Sequence, residues 1–303
     1  MTGGMTSKVM AGVTPRVYLQ GMTTTMATPT VNGTSASSVG RMLRQWRTER
    51  RISQLDLSLQ AEISTRHLSF VETGRAKPSR QMVLLLSSAL EVPLRERNTL
   101  LLAAGYAPAY RETALDDPQM ADVRLALQMI LRQHDPFGAV VVNRHWDVVM
   151  ASDSWRRMMA ALGAAQCPSQ PLEVVPAPRP NIIRALLAPG PLRQSIRNWE
   201  QLARAIVARA RRDAARDPVA QDLLRHRVAG QPELWDDADL VSPQSLLIPV
   251  ELEVGGTVLR LLSTISTLGT AQDITLQELH IESFHPADAE TDARVRAFFA
   301  APA

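Results

Sequence analysis

Polar and charged side chains between residues 54 and 79 have the types and spacing that hydrogen bonding to nucleic acid requires. Serine hydroxyls can cap three helix N-termini in this region, at Ser53, Ser64 and Ser79. The helix after Ser64 has its apolar positions on one face. The side chains expected on the opposite, outward face are Thr65, Arg66, Ser69 and Phe70. A guanidinium can pair with guanine O6 and N7, hydroxyl groups can reach phosphates, and the Phe70 ring suits either a thymine contact or partial burial. The predicted chemistry is recognition of DNA in its major groove.

Two short helices must position these side chains. Residues 54–61 and 65–72 each have a helical period, and Glu62 and Ile63 form the turn between them. The contacts that fix the angle between the helices are expected from Leu57, Ile63, Leu68 and Val71. Ser58 is small where the helices approach each other. The alternative is a generic helical bundle with solvated arginines, but the coincidence of caps, turn and spacing predicts a helix-turn-helix.

A bundle of five helices is predicted to carry this motif. The other three helices are expected at residues 38–50, between Ser79 and the break at Val92-Pro93, and at residues 94–104. The apolar positions expected in the core include Val39, Leu43, Trp46, Met82, Leu85, Leu86 and Leu90. The arginines expected on the solvent-facing side of the first helix are Arg41, Arg44, Arg47 and Arg51.

Charge is distributed unevenly along the 303 residues, whose formal net charge is +3. Residues 38–111 contain 12 basic and 6 acidic side chains, whereas residues 112–303 contain 19 basic and 24 acidic ones. A basic segment suits a polyanion, and the acidic remainder argues against a second DNA-binding surface.

Composition excludes other classes of protein. The single cysteine, Cys167, excludes an intrachain disulfide and a cysteine-based zinc finger, and it fits a reducing, cytoplasmic location. No stretch approaches the ~20 apolar residues of a membrane span, so we expect no membrane partner. Residues 1–37 are rich in Thr, Ser, Gly and Met and are expected to form a disordered leader.

The basic segment resembles the phage-repressor, or XRE, family of DNA-binding domains. The resemblance lies in Ser53-Gln54, Leu57, Ser64, Leu68, Val71-Glu72-Thr73-Gly74-Arg75 and Lys77-Pro78-Ser79. It implies binding to a palindromic operator on double-stranded DNA as a homodimer, with base contacts from the second helix. The phosphate contacts implied are those of Gln54, Ser64, Arg75, Lys77 and Ser79. Glu62 departs from the family's usual turn glycine, and a left-handed backbone there would cost about 1–2 kcal/mol.

An α+β domain with one antiparallel sheet is predicted beyond a connector at residues 105–120. Hairpins are expected around Arg144-His145 and around Gly255-Gly256, and a further strand over most of residues 273–284. The helices expected are residues 122–134, 154–162, 181–187, 194–216 and 288–299. We therefore expect domains at residues 38–108 and 109–303.

This second region resembles the MmyB-like subfamily of bacterial regulators. The resemblance lies in Pro93-Leu94-Arg95-Glu96-Arg97-Asn98, in the stretch from Leu101-Leu102 to Ala107-Pro108, in Val140 to Ala151, and in Asn198-Trp199-Glu200, Gly269-Thr270 and Phe284-His285-Pro286-Ala287-Asp288. It implies a PAS-like sensor domain whose apolar pocket holds a fatty-acid-like ligand. The residues that can line such a pocket, or alternatively a closed core, are Trp146, Trp155, Met158, Met159, Leu162, Ile182, Leu186 and Trp199. A ligand carboxylate would need a partner, for which Arg184, Arg197 and Asn198 are the candidates.

Other functions have weaker support from the sequence. The group His280, Glu282, His285 and Asp288 does not share one face of a strand, so no metal site is predicted. No cofactor motif and no catalytic spacing occurs. The alternatives are a second domain that binds a protein partner and, less favoured, an enzyme domain whose candidates are His145, Asp147 and Asp153. The short basic run Arg209-Ala210-Arg211-Arg212 is interpreted as a solvated helix face.

Overall fold

The computed structural model describes residues 35–164, 168, 170–215, 217–231, 234 and 247–300. Most of the expected leader and Cys167 lie outside these residues. The described chain begins with five helices: α1 Ser35–Glu49, α2 Gln54–Gln60, α3 Thr65–Glu72, α4 Arg80–Ala89 and α5 Leu94–Ala103. The predicted five-helix bundle is thus confirmed. Each helix among the described residues is too short or too polar to span a lipid bilayer.

Serine caps set the starts of the three central helices. The Oγ atoms of Ser53, Ser64 and Ser79 accept hydrogen bonds from the backbone N–H groups of Asp56, His67 and Met82, at 3.1–3.2 Å. The side chains buried between the helices include Val39, Leu43, Trp46, Leu57, Leu68, Val71, Leu86 and Leu90, as expected. The prediction that Leu85 lies in the core is wrong, since its side chain is 41% exposed. Val83, which was not among the predicted core positions of α4, packs into the core instead.

A five-stranded antiparallel sheet organises the second domain, in the order β2-β1-β5-β4-β3. The strands are β1 Ala139–Val142, β2 Val148–Ala151, β3 Val250–Val254, β4 Thr257–Ser266 and β5 His280–Pro286. The helices are α6 Ala121–Gln133, α7 Asp153–Ala161, α8 Ile182–Leu187, α9 Pro191–Gln194, α10 Trp199–Asp213, α11 Pro218–Val228, α12 Ile274–Gln277 and α13 Ala289–Ala300. The α+β prediction is confirmed.

Alternation along the strands gives the sheet two apolar faces. Leu127 and Leu131 of α6 pack with Val141 and Ile281 on one face. The other face carries Leu259 and Leu261 of β4, whose cluster also includes residues of α7, α8, α10 and α13. More helices therefore pack on this second face than on the first.

Two predictions of element type are wrong. The helix predicted at residues 194–216 is interrupted, because Arg197 N–H donates to Glu251 O at 2.9 Å and Glu253 N–H donates to Ser195 O at 2.7 Å, so that the segment pairs with β3. The strand predicted from Asp273 begins only at His280, because the Asp273 carboxylate caps α12 by accepting from Thr275 N–H at 2.8 Å.

Candidate functional site

The helix α3 presents the side chains predicted to read bases. Arg66 is exposed, and its guanidinium carbon lies 5.4 Å from the centre of the Phe70 ring one turn along the helix. Phe70 and Ser69 are half-buried. The Phe70 ring and the Arg66 guanidinium are therefore close enough for a cation–π contact, and this contact limits the directions in which the guanidinium can extend.

Thr65 has a contact that its sequence position did not reveal. Its Oγ1 atom lies 2.9 Å from the buried Ser58 Oγ of α2, within hydrogen-bonding distance. The hydroxyl thereby joins the two helices of the motif, and Ser58 is small at the point of close approach, as expected. Thr65 has less freedom to contact a base than Arg66 has.

A buried carboxylate holds α1, α2 and α3 together. Arg47 binds Glu72 with two hydrogen bonds, Nε to Oε1 at 2.7 Å and Nη2 to Oε2 at 3.0 Å, and Gln54 Nε2 donates to Glu72 Oε2 at 2.7 Å. Hydrogen bonding to Glu72 raises the pKa of Arg47 against the opposing effect of burial. The expectation that Arg47 is solvated is therefore wrong, because Glu72, at the end of α3, is buried beside it.

Gly40 and Glu62 contribute through the backbone. A Cβ atom at Gly40 would overlap the carbonyl oxygens of Val71 and Glu72, so α1 approaches the end of α3 as closely as glycine allows. Glu62 has φ +51°, the left-handed conformation anticipated for the turn, and Gly74 has φ +74° after α3. The sequence contained no local signal for the role of Gly40, since that role depends on a distant helix.

The residues predicted to contact phosphate lie in three settings. Arg75 and Lys77 are exposed in the loop after α3, with Lys77 Nζ 5.4 Å from the centre of the Tyr106 ring. Ser64 and Ser79 are exposed cap residues at helix N-termini. Gln54 is held by Glu72, but its amide nitrogen carries a second N–H group. Helix N-termini and exposed cations are the groups that bind phosphate.

A cavity of about 250 Å³ lies between the sheet and the helical layer of the second domain. Of the predicted pocket residues, the cavity is lined by Trp146, Trp155, Met159, Ile182 and Leu186. Met158, Leu162 and Trp199 do not line it and pack in the adjacent core, where Trp199 Nε1 donates to Leu186 O at 2.8 Å. The lining is mostly apolar, which is the character of a site for an apolar small molecule.

Four polar side chains interrupt the apolar lining. They are Asn181, Arg209, Ser263 and Glu282. Burial raises the pKa of Glu282, while a hydrogen bond from Ser263 and the charge of Arg209 oppose the rise. Arg209 comes from the run predicted to be a solvated helix face, and it lies over the Trp146 ring at 5.5 Å from its centre. The tertiary packing of α10 turns this one arginine towards the cavity.

The three residues considered for a ligand carboxylate lie elsewhere. Arg184 is exposed, and Arg197 pairs with Glu253 at 3.0 Å. Asn198 Nδ2 donates to Pro249 O at 2.7 Å and so fixes the chain that leads into β3. None of the three lines the cavity, whose cation is Arg209.

Comparison with known proteins identifies both domains. Residues 123–298, more than half of the chain, match the family described as the MmyB-like transcription regulator ligand binding domain. The chain belongs to the MmyB-like transcription regulators. Residues 43–97 match a helix-turn-helix family. The protein is thus a DNA-binding transcription regulator with a ligand-binding domain.

Solved structures resemble a short part of this regulator. The restriction-modification controller protein C.AhdI from Aeromonas hydrophila is 28% identical over 22% of this chain and 98% of its own, with a TM-score of 0.21. The clp gene regulator ClgR from C. glutamicum is 23% identical over 25% of this chain and 92% of its own, with a TM-score of 0.21. No curated protein matches the regulator significantly.

Ion pairs connect the two domains of the regulator. Arg95 of α5 binds Glu278 after α12, with Nε to Oε1 at 2.6 Å and Nη2 to Oε2 at 2.9 Å, and it also binds Glu112 of the connector. These carboxylates raise the pKa of Arg95. Arg144, in the β1–β2 turn, lies 3.7 Å from Glu278 and 3.1 Å from Asp217. One side of this turn therefore faces the junction with the DNA-binding domain.

Each side chain considered for an enzyme site has a partner within the protein. His145 Nε2 lies 3.0 Å from Asp217 Oδ2, Asp147 accepts from Asn181 Nδ2 at 2.8 Å, and Asp153 binds Arg156 at 2.8 Å. None of the three candidates lines the apolar cavity. In the part of the chain that the structure covers, no group of three His, Cys, Asp or Glu side chains is arranged to hold a metal ion.

Proposed function

We propose that the regulator binds a palindromic operator as a homodimer and that the cavity of its ligand-binding domain holds an apolar, fatty-acid-like molecule. The observation that carries the ligand proposal is the cavity of about 250 Å³ with mostly apolar walls. A domain that bound only a protein partner would bury its helical layer against the sheet without such a space. The cavity therefore favours a small-molecule ligand over the protein-interaction alternative.

The size of the cavity narrows the ligand class. An apolar protein cavity of roughly 150 Å³ accommodates benzene. By that measure, a cavity of about 250 Å³ suits a ligand of about ten non-hydrogen atoms. We propose a medium-chain acid, in preference to a long-chain acid, as the best occupant.

We propose that Arg66 reads a guanine and that Thr65, Ser69 and Phe70 make secondary base contacts. The exposure of Arg66 supports this assignment, since a bidentate contact requires a guanidinium that can reach a base edge. The proposed phosphate contacts come from Gln54, Ser64, Arg75, Lys77 and Ser79. Phosphate contacts position the helix, whereas base contacts give specificity.

We propose domains at residues 38–108 and 109–303, the second with a PAS-like fold. The end of α5 at Ala103 and the start of α6 at Ala121 support a connector between them. The five-stranded antiparallel sheet with a helical layer supports the PAS-like interpretation. The connector is anchored because Asn98 Oδ1 accepts from the N–H groups of Ala109 and Tyr110 at 2.9 and 3.1 Å.

Selection of bound sequences from a random DNA pool tests the operator proposal. The wild type should enrich inverted repeats with half-sites about 34 Å apart, as expected for a dimer. Arg66→Ala should lose roughly 1–3 kcal/mol of discrimination at one base pair of each half-site. The matched control Lys77→Ala should weaken binding to all sequences alike and reduce its salt dependence. Unchanged sequence preference in Arg66→Ala contradicts the base-reading role.

Native mass spectrometry and thermal unfolding with acids of six to sixteen carbons test the ligand proposal. We expect the largest rise in unfolding temperature at eight to ten carbons, since with the two carboxyl oxygens these acids have about ten to twelve non-hydrogen atoms. Ala205→Phe, which adds a ring to the cavity wall, should abolish the rise while DNA binding is retained. Equal stabilisation of the wild type and of Ala205→Phe would mean that the acids bind elsewhere.

A further inference from the structure

Glu282 and Arg209 both line the apolar cavity of the ligand-binding domain. Among the described residues that line the cavity they are the two that carry charge, Glu282 on the sheet and Arg209 on α10. Apolar partners flank Glu282 in the sheet, with Ile265 of β4 and Val140 of β1 directly opposite. A carboxylate in such a place depends strongly on a nearby cation, since water cannot replace that cation.

Few other charged groups face Glu282. His280 precedes it by two residues on the same face of β5, and burial lowers the pKa of His280, which favours the neutral imidazole. Asp213 lies one turn beyond Arg209 on α10, and its Oδ2 is 3.7 Å from Arg209 Nε. From β4 the polar neighbour is Ser263, which hydrogen-bonds Glu282. The described lining residues of α7 and α8 include Trp155, Met159 and Ile182, and none of them is ionisable.

The charge balance of the cavity limits what can enter. Arg209 is the cation of the described lining, and its charge already acts on two carboxylates, Asp213 at 3.7 Å and Glu282. An acidic ligand brings a further carboxylate into the same low-dielectric space, where the added negative charge has no cation of its own and is strongly unfavourable. We infer that the cavity accepts one negative charge at a time, so that an acidic ligand pairs with Arg209 while Glu282 takes up a proton from solvent. Protonated Glu282 can then donate a hydrogen bond to the ligand carboxylate.

This inference rests on the proposed acidic, apolar ligand and adds a proton to its binding reaction. The ligand affinity should then fall as the pH rises, by up to tenfold per pH unit once Glu282 is ionised in the empty protein. The direction of the Glu282 pKa shift agrees, because burial already favours the protonated carboxyl. A ligand with two carboxylates should be rejected, and a neutral alcohol of the same length should bind without a proton.

Titration calorimetry of the full chain with decanoate provides the test, between pH 6 and 9 in pairs of buffers with different ionisation enthalpies. The wild type should take up close to one proton per decanoate at the upper end of this range. Decanol, the matched neutral probe, should bind with no proton uptake. The calorimetric proton count uses the wild type alone, so it does not depend on whether a variant folds.

Glu282→Gln supplies the second measurement. The amide has the shape of the protonated carboxyl, so decanoate should bind this variant with an affinity that no longer depends on pH and without proton uptake. Decanoate binding to the wild type without proton uptake overturns the inference, and so does a Glu282→Gln variant that keeps the pH dependence. Decanol binding without decanoate binding overturns it while leaving an apolar-ligand function intact. Binding of neither compound, nor of any acid in the series, refutes the proposed ligand function itself.

Discussion

Glu72 and Glu282 are carboxyl groups inside the two domains, and their surroundings differ: Glu72 is buried, whereas Glu282 is half-buried in the lining of the cavity. Glu72 accepts hydrogen bonds from Arg47 and Gln54 at 2.7–3.0 Å. Glu282 has Ser263 as its hydrogen-bond partner and faces a cavity, and the nearest cation of that cavity, Arg209, lies on another element and is shared with Asp213. The carboxylate of the DNA-binding domain is saturated by protein groups, whereas that of the ligand-binding domain has capacity left for a ligand.

This difference separates a structural charge from one for which we propose a function. A buried ion pair that satisfies all its partners fixes the geometry of the elements that meet there, in this case α1, α2 and α3. A buried carboxyl group beside an apolar space remains sensitive to pH and to whatever enters the space. Burial alone therefore does not distinguish a structural carboxylate from a functional one. The number and position of its hydrogen-bond and ion-pair partners do.

The largest effect is expected from Glu72→Ala. Removing one partner of a buried ion pair leaves the other charge uncompensated, so the free energy of unfolding of the DNA-binding domain should fall by about 3–5 kcal/mol. Urea denaturation followed by circular dichroism measures the loss. Glu49→Ala, at an exposed position on the neighbouring helix α1, is the control and should change stability by no more than about 0.5 kcal/mol. Similar values for the two variants would remove the structural role assigned to Glu72.

A smaller, pH-dependent effect is expected from Glu282→Gln in the absence of ligand. The folded state raises the pKa of Glu282, so its contribution to stability is complete below its ordinary pKa near 4.5 and is lost as the pH rises through the raised value. The unfolding free energy of the wild type should therefore decline relative to Glu282→Gln from pH 5 upwards, by at most about 1.4 kcal/mol per pH unit. Denaturation of both proteins across pH 5–8 gives the difference. A difference that does not vary with pH contradicts the prediction.

The third glutamate in the comparison, Glu62, matters through its backbone alone. It is exposed and has φ +51° in the turn between α2 and α3, so Glu62→Gly should stabilise the domain by roughly 1 kcal/mol with DNA binding unchanged. Gln45→Gly, in the interior of α1, is the opposite control and should cost about 1 kcal/mol. Thermal unfolding should move the two melting temperatures in opposite directions, and a shift in the same direction would contradict the account of the turn.

Local signals made the DNA-binding domain predictable. Ser64 and Ser79 cap helices within the same few residues that define them, so the structure reproduces the predicted α3 at residues 65–72. Contacts between residues that are distant in the sequence could not be predicted. The sequence pattern of α1 predicts a surface position for Arg47, because its partner Glu72 lies 25 positions later in the chain. The role of Gly40 likewise depends on the backbone carbonyl groups at the end of α3.

The ligand-binding domain was less predictable because tertiary contacts override local periodicity. The segment around Arg197 has helical periodicity but pairs with Glu251 of β3 instead. The alternation of side chains along β5 correctly predicted that Glu282 and His280 share a face of the sheet. The cavity on that face depends on the packing of α7, α8 and α10, which the sequence pattern does not specify. For the same reason the sequence does not distinguish Arg209, which lines the cavity, from Arg211 and Arg212 of the same basic run.

The two β-hairpins differ in how freely their turns can be altered. The turn between β1 and β2 contains Trp146, with φ +66° and its ring in the cavity wall, next to Arg144 at the domain junction. Gly255 and Gly256, between β3 and β4, also have positive φ, +57° and +76°, but an added Cβ at either would meet no atom within 4 Å, so this turn has no neighbour to disturb. A peptide tag or a fluorophore attachment site inserted at the glycine turn will therefore leave the regulator intact. The same insertion beside Trp146 will disturb both the cavity and the attachment of the DNA-binding domain.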